Sequence, residues 1–158
     1  MADRLSPDAR SKNMAAIRSS ATAPERHVIN YLRILGYRVI PNLKRLPGCP
    51  DAVILNSRIV ILVHGCFWHQ HGPCQDSRLP RSNRSYWLPK LAANKLRDSR
   101  NTRRLRRMGW HVFVIWDCQV TPQGLSRLAR RIARVPNHQA NQGSAPETAI
   151  RNRTGGSR

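Results

Sequence analysis

Hydrophobic positions follow two rhythms along this chain. The continuous runs Ile59-Val60-Ile61-Leu62-Val63 and Trp110-His111-Val112-Phe113-Val114-Ile115-Trp116 are rich in β-branched and aromatic residues, and read as buried strands. Asp51-Ala52-Val53-Ile54-Leu55 reads as a further strand, joined to 58–63 by Asn56-Ser57 in a hairpin, and 37–41 as a first one. Elsewhere the spacing is helical. Thr22-Ala23-Pro24-Glu25 is a capping-box pattern that opens a helix through Val28, Leu32 and Leu35 and stops at Gly36. Tyr86-Trp87-Leu88-Pro89 leads into a long basic helix over roughly 88–107, which ends at Met108-Gly109. A last amphipathic helix, 122–135, carries Leu125, Leu128, Ile132 and Val135, and a short basic one over 6–19 carries Met14 and Ile17. The order α-β-β-β-α-β-α predicts an α/β (α+β) fold, a mixed sheet flanked by helices. It divides the chain into an N-terminal segment 1–20, a folded domain 21–135 and a tail 136–158 whose Asn, Gln, Ser, Gly and Arg predict disorder.

Charge changes the picture more than length does. The 158 residues carry 28 Lys and Arg against 8 Asp and Glu, a net +20, and the lysines are only Lys12, Lys44, Lys90 and Lys95. Arginine's planar fork suits phosphate, and the charge is spread through a folding sequence, so nucleic acid is the expected partner, held less tightly as salt rises. A basic binding protein without chemistry is the plainer alternative. No run approaches the ~20 apolar residues of a membrane span, and the N-terminus opens no signal-peptide pattern. A soluble cytoplasmic protein is expected, whose four cysteines point to metal before disulfides.

The chemistry concentrates in Val63-His64-Gly65-Cys66-Phe67-Trp68-His69-Gln70-His71-Gly72-Pro73-Cys74, directly after a buried strand. Cys66-x4-His71-x2-Cys74, with Cys118 after the next buried strand, makes a Cys3His set, the composition of a closed structural zinc site. The alternative is that these cysteines are merely small buried apolar residues; Cys49 reads as such a packed thiol. Asp51, among few acids, follows Pro50 at the start of an apolar strand, where a cation would offset its burial. A Pro-Asp on one hairpin strand with chemistry at the end of the next resembles the restriction-endonuclease-like nucleases. The acid-x-Lys triplet common on their second strand is absent, since Val63-His64-Gly65 stands there. Mg2+ could use the Asp51 carboxylate and the Val63 carbonyl, with His64 or His69 in place of the lysine as proton acceptor. His64 also fits a structural hydrogen bond, and Glu25 fits the capping box as well as a place beside the metal. Phe67, Trp68 and Trp87 lie in loops and could wedge between bases near Arg45, Arg78, Arg81 and Arg84, or form a small core. Trp110 and Trp116, inside a strand, read as core.

These residues fall into blocks that resemble one family. Arg10-Ser11-Lys12-Asn13-Met14, Thr22-x-Pro24-Glu25, Leu46-Pro47-Gly48-x-Pro50-Asp51, His64-Gly65-Cys66-Phe67-Trp68-His69-x-His71, Trp87 and Gly109-Trp110-x-Val112-x3-Trp116-x-Cys118 are similar to the very-short-patch-repair (Vsr) mismatch endonucleases. The resemblance implies a restriction-endonuclease-like core and Mg2+-dependent nicking of one strand beside the T of a T·G mismatch, the lesion left by 5-methylcytosine deamination. It implies Asp51 and the Val63 carbonyl on Mg2+, His69 as general base, and His64 and Glu25 in support. Zn2+ would sit on Cys66, His71, Cys74 and Cys118. Phe67, Trp68 and Trp87 would form the wedge, and Met14 and the 1–20 segment would clasp the opposite side of the duplex. A monomer, a functional link to a DNA cytosine methyltransferase and to mismatch repair, and a place at the nucleoid are also implied. A less specific nickase and a zinc-containing binding protein without catalysis remain the alternatives.

Overall fold

The computed structural model describes residues 21–72 and 74–136. The 6–19 helix, Met14 and the tail beyond Pro136 lie outside the described residues. Helix α1 (Ala23–Ile34) begins where the capping pattern places it, with Thr22 as N-cap, and its Val28 and Leu32 are fully buried. Gly36, at φ 86°, turns the chain out of the helix, and Tyr37 donates its backbone N–H to Leu32. That turn takes up Tyr37, so the first strand shrinks from the expected 37–41 to β1 (Ile40–Pro41). The hairpin forms from β2 (Ala52–Ile54) and β3 (Ile59–His64), closed by the Arg58 N–H on the Leu55 carbonyl at 3.0 Å. After a single-turn helix α2 (Cys66–His69), helix α3 runs over Arg84–Arg107, four residues earlier than its expected start. Pro89 does not open it but sits inside it, and the early start places Trp87 and Leu91 four apart on one buried stripe. Strand β4 (His111–Trp116) and helix α4 (Pro122–Ala133) complete the domain.

The sheet order is β1-β2-β3-β4, antiparallel through the hairpin and parallel between β3 and β4, from Ile59 opposite His111 to His64 opposite Trp116. Alternation along β3 serves two layers. Ile59 and Ile61 face Val28, Leu32, Leu128 and Ile132 of α1 and α4, together with Phe113 and Ile115. Val60 faces the other way, with Val53, Leu46 and Leu105 of α3. The mixed sheet between helices is the α+β architecture the sequence predicts, and helix α3 returns the chain from β3 to β4 as a parallel pair requires.

Leu105 joins α3 to the sheet and is 0 % exposed. Leu105→Ala is expected to cost ~2–5 kcal/mol in urea unfolding, whereas Leu96→Ala on the exposed side of α3 should stay within ~0.5 kcal/mol. Equal losses would mean that α3 does not seat on the sheet through Leu105.

Candidate active site

The parallel strands β3 and β4 end together, and the candidate site residues gather near that end. Asp51 stands just before β2 and reaches across the hairpin, its Oδ2 accepting the backbone N–H of Val63 at 2.7 Å. Burial first raises the Asp51 carboxyl above the ordinary 3.8, the Val63 hydrogen bond lowers it, the charge of nearby Glu25 adds to the rise, and the balance stands at about 6. Glu25 is 5 % exposed. The expected bond from its carboxylate to a backbone N–H does not form; Oε1 accepts from the Thr22 hydroxyl at 2.8 Å instead. Its Oε2 is buried without a hydrogen-bond partner. Two neighbouring buried carboxylates, one with an orphaned oxygen, are a poor arrangement for a protein alone and a good one for a hard divalent cation.

The short helix α2 then turns the chain back. Gln70 adopts a left-handed conformation at φ 53°, and its side-chain amide ties the turn to the Phe67 carbonyl at 2.7 Å. One turn places His69 on His64, with parallel rings 4.0 Å apart. His64 is held down to about 4, first by burial and then by His69, so its ring is neutral at pH 7. On its far side His69 meets a residue that the sequence reading did not single out: Nδ1 lies 2.5 Å from Oδ2 of Asp98 on α3. Asp98 sits in a helix that is otherwise strongly basic, 29 positions from its partner. An isolated acid among arginines is the only signal the sequence offers, and spacing does not supply the partner.

The four residues of the Cys3His pattern converge, with one donor atom from each of Cys66, His71, Cys74 and Cys118 within 4.8 Å of the others. His71 Nδ1 lies 3.8 Å from Cys66 Sγ and 3.4 Å from Cys118 Sγ. Donors around a tetrahedral ion with arms of about 2.0–2.3 Å stand about 3.5–3.8 Å apart, so the set fits a metal ion. Cys118 is exposed as a residue, yet its sulfur faces the others. Local desolvation first, then the Cys66 and Cys74 sulfurs, push its thiol up to about 12, an environment that a cation would reverse. Cys49 takes no part.

Phe67, Trp68 and Trp87 also meet, with ring centroids 5.1–6.0 Å apart. Trp87 is 5 % exposed and forms the floor, while Phe67 and Trp68 are half-buried and Tyr86 is exposed beside them. Lys90 holds its ammonium 5.2–6.0 Å from the Trp68, Tyr86 and Trp87 rings. Trp110 packs on the α3 side of the core as expected. Trp116 does not join either core cluster; it is half-buried, stacked on His71 at 4.2 Å and edge-on to His64 at 5.3 Å.

A mixed sheet between helices, with paired carboxylates and histidines where its strands end, defines an α+β nuclease. A family model described as DNA mismatch endonuclease Vsr matches residues 2–75. The type II nicking enzyme V.XorIIP of Xanthomonas oryzae is 46% identical over 124 residues, 78% of this chain and 90% of that protein. The type II nicking enzyme V.NmeAIP of Neisseria meningitidis is 36% identical over 84% of this chain and 97% of its own length. The DNA mismatch endonuclease Vsr of Escherichia coli is 40% identical over 75% of each. The chain belongs to the Vsr family and is a DNA endonuclease.

With its folded pKa near 6, above the ordinary 3.8, protonated Asp51 favours the fold. That contribution is full below the ordinary value and is lost as pH rises through the folded one. In metal-free protein the Asp51 carboxyl is expected to titrate near 6 by carbon NMR and to move toward 3.8 in Glu25→Gln, which removes the like charge. An unmoved midpoint would show that the two carboxylates do not sense each other.

Proposed function

We propose that this endonuclease nicks one strand beside the thymine of a T·G mismatch by Mg2+-dependent hydrolysis, leaving 5′-phosphate and 3′-hydroxyl ends. The observation that carries the reading is that the Asp51 carboxylate, which senses Glu25, bonds to the Val63 N–H next to His64, the first member of the His64–His69–Asp98 group, at one end of the sheet. Asp51 and the Val63 carbonyl would hold Mg2+, with Glu25 beside it in support. Mg2+ supplies Lewis-acid stabilisation of the charge that develops on the transferring phosphoryl group. The Asp98 carboxylate accepts the proton-bearing Nδ1 of His69, which fixes the tautomer and leaves Nε2 as the acceptor for the proton of the attacking water. His64, neutral at pH 7, packs on that ring and holds its plane.

Zn2+ suits the second cluster, because three thiolates and an imidazole select a borderline-soft ion and fill its shell. Its task is structural, stapling the loop after β3 to the turn after β4. Phe67 and Trp68 project from a floor made by Trp87, which supports a wedge that enters the duplex beside the mismatch. Met14 and the 1–20 segment clasp the other side, the 21–135 domain carries the catalysis and the tail 136–158 is a basic extension. A lesion with one T strand suits a monomer. The deamination product implies a DNA cytosine methyltransferase and mismatch-repair enzymes as functional partners, in the cytoplasm at the nucleoid. The second reading, a nickase with less mismatch selectivity, draws support from relatives named type II nicking enzymes.

End-labelled matched and T·G duplexes incubated with Mg2+ or EDTA separate the two readings. A Mg2+-dependent nick on the T strand alone, lost in Asp51→Ala, is the expected result; equal cutting of both duplexes would leave only the nickase. His69→Ala should lower kcat by ~10²–10⁴-fold, and Asp98→Asn by a smaller factor with KM nearly unchanged. Full activity in His69→Ala would remove the histidine from the mechanism. Stripping the metal from the Cys3His cluster should lower the melting temperature by several degrees, and Zn2+ added back in stoichiometric amount should restore it. Trp68→Ala should reduce cutting of T·G duplex more than affinity for matched DNA; equal losses would count against the wedge.

A further inference from the structure

We infer that Trp116 is a positioning residue that links the Cys3His cluster to the His64–His69 pair, so that filling the metal staple sets the orientation of the histidines at the reacting end. The inference rests on the roles proposed above for those two groups. Its observation is a continuous file of rings. His71 stacks on Trp116 at 4.2 Å with planes 9° apart; Trp116 meets His64 edge-on at 5.3 Å and 74°; His64 stacks on His69 at 4.0 Å and 6°. Asp98 closes the file at His69 Nδ1.

Register places the indole there. His64 and Trp116 are the last residues of β3 and β4 and are Cα partners in the parallel ladder, so their side chains lie side by side on one face. His71 folds over the indole because its backbone N–H bonds to the Cys66 carbonyl at 3.1 Å and its Nδ1 lies 3.4 Å from Cys118 Sγ. Cys118 stands two residues beyond Trp116, in the turn Asp117–Gln119, so two of the four staple residues touch or flank the indole.

A packing role alone does not account for this placement. Phe113 and Ile115 of β4 fill the core toward α1 and α4, on the opposite face from Trp116; on Trp116's own face Val112 packs with Leu105, and the indole joins neither cluster. The indole belongs to no aliphatic cluster; its ring contacts are the two imidazoles. Pulling His71 out of place therefore removes the surface against which His64 rests, and His64 is the surface against which His69 rests. The Asp98 carboxylate holds His69 at its edge, and the stack on His64 bears on the face of the ring. A general base displaced by a fraction of an ångström loses much of its rate without losing substrate affinity.

Trp116→Ala and Trp116→Phe test this in the full chain, with metal content and thermal melting measured first. Trp116→Ala is expected to keep one metal per chain and to nick T·G duplex with kcat ~10–100-fold lower and KM within about twofold. Trp116→Phe, which keeps an aromatic face, should recover most of the rate. The second readout uses no DNA and no activity: in the wild type, chelating the staple metal should shift the imidazole NMR resonances of His64 and His69 as well as those of His71. In Trp116→Ala the same chelation should move those of His71 alone. Coupling that persists in Trp116→Ala would overturn the inference, as would an unchanged kcat or a variant that no longer holds metal. If the histidines have no part in catalysis, His69→Ala will nick normally, and the spectra still decide the coupling separately.

Discussion

The hydrogen bond from the Val63 N–H to the Asp51 carboxylate is the point on which the site depends. Burial pushes that carboxyl up to about 6 against the pull of this bond, and the bond fixes where the start of β2 stands against the end of β3. From that point Glu25, on a helix packed against the opposite face of the hairpin, is brought near enough for its charge to be felt. The chain immediately beyond Val63 then supplies His64, the α2 turn and His69. Were Asp51 free to swing into solvent, the two carboxylates would separate and the orphaned Glu25 oxygen would have no reason to be buried.

Local pattern made most of the architecture legible. The apolar runs at 59–63 and 110–116 are strands because buried parallel strands need β-branched residues on both faces, and they lie in one sheet with the predicted hairpin. The errors are instructive. Tyr37 and Val39 carry strand-like side chains, but the helix-ending turn at Gly36 claims the Tyr37 N–H. Pro89 looks like a helix start, yet tertiary packing of Trp87 outweighs the hydrogen bond that a proline forfeits within α3.

The site divides along a similar line. Asp51, His64, His69 and the four members of the Cys3His pattern declare themselves because their residue types are hard to explain otherwise in short segments. Asp98 and Trp116 do not, since each draws its meaning from a neighbour distant in sequence. A lone aspartate in a basic helix reads as a solvated charge until His69 is seen 2.5 Å away. A tryptophan that ends an apolar strand reads as core until its face is known, and parity along β4 puts it on the side away from Phe113 and Ile115.

The shortness of β1 has a consequence of another kind. Ile40–Pro41 is an outer strand of the sheet, two residues long, and one of the two is a proline with no N–H to offer. A polycation that collects on DNA is driven to high local concentration beside copies of itself, the condition under which exposed sheet edges template aggregation. On this side there is too little backbone for a neighbouring strand to pair with.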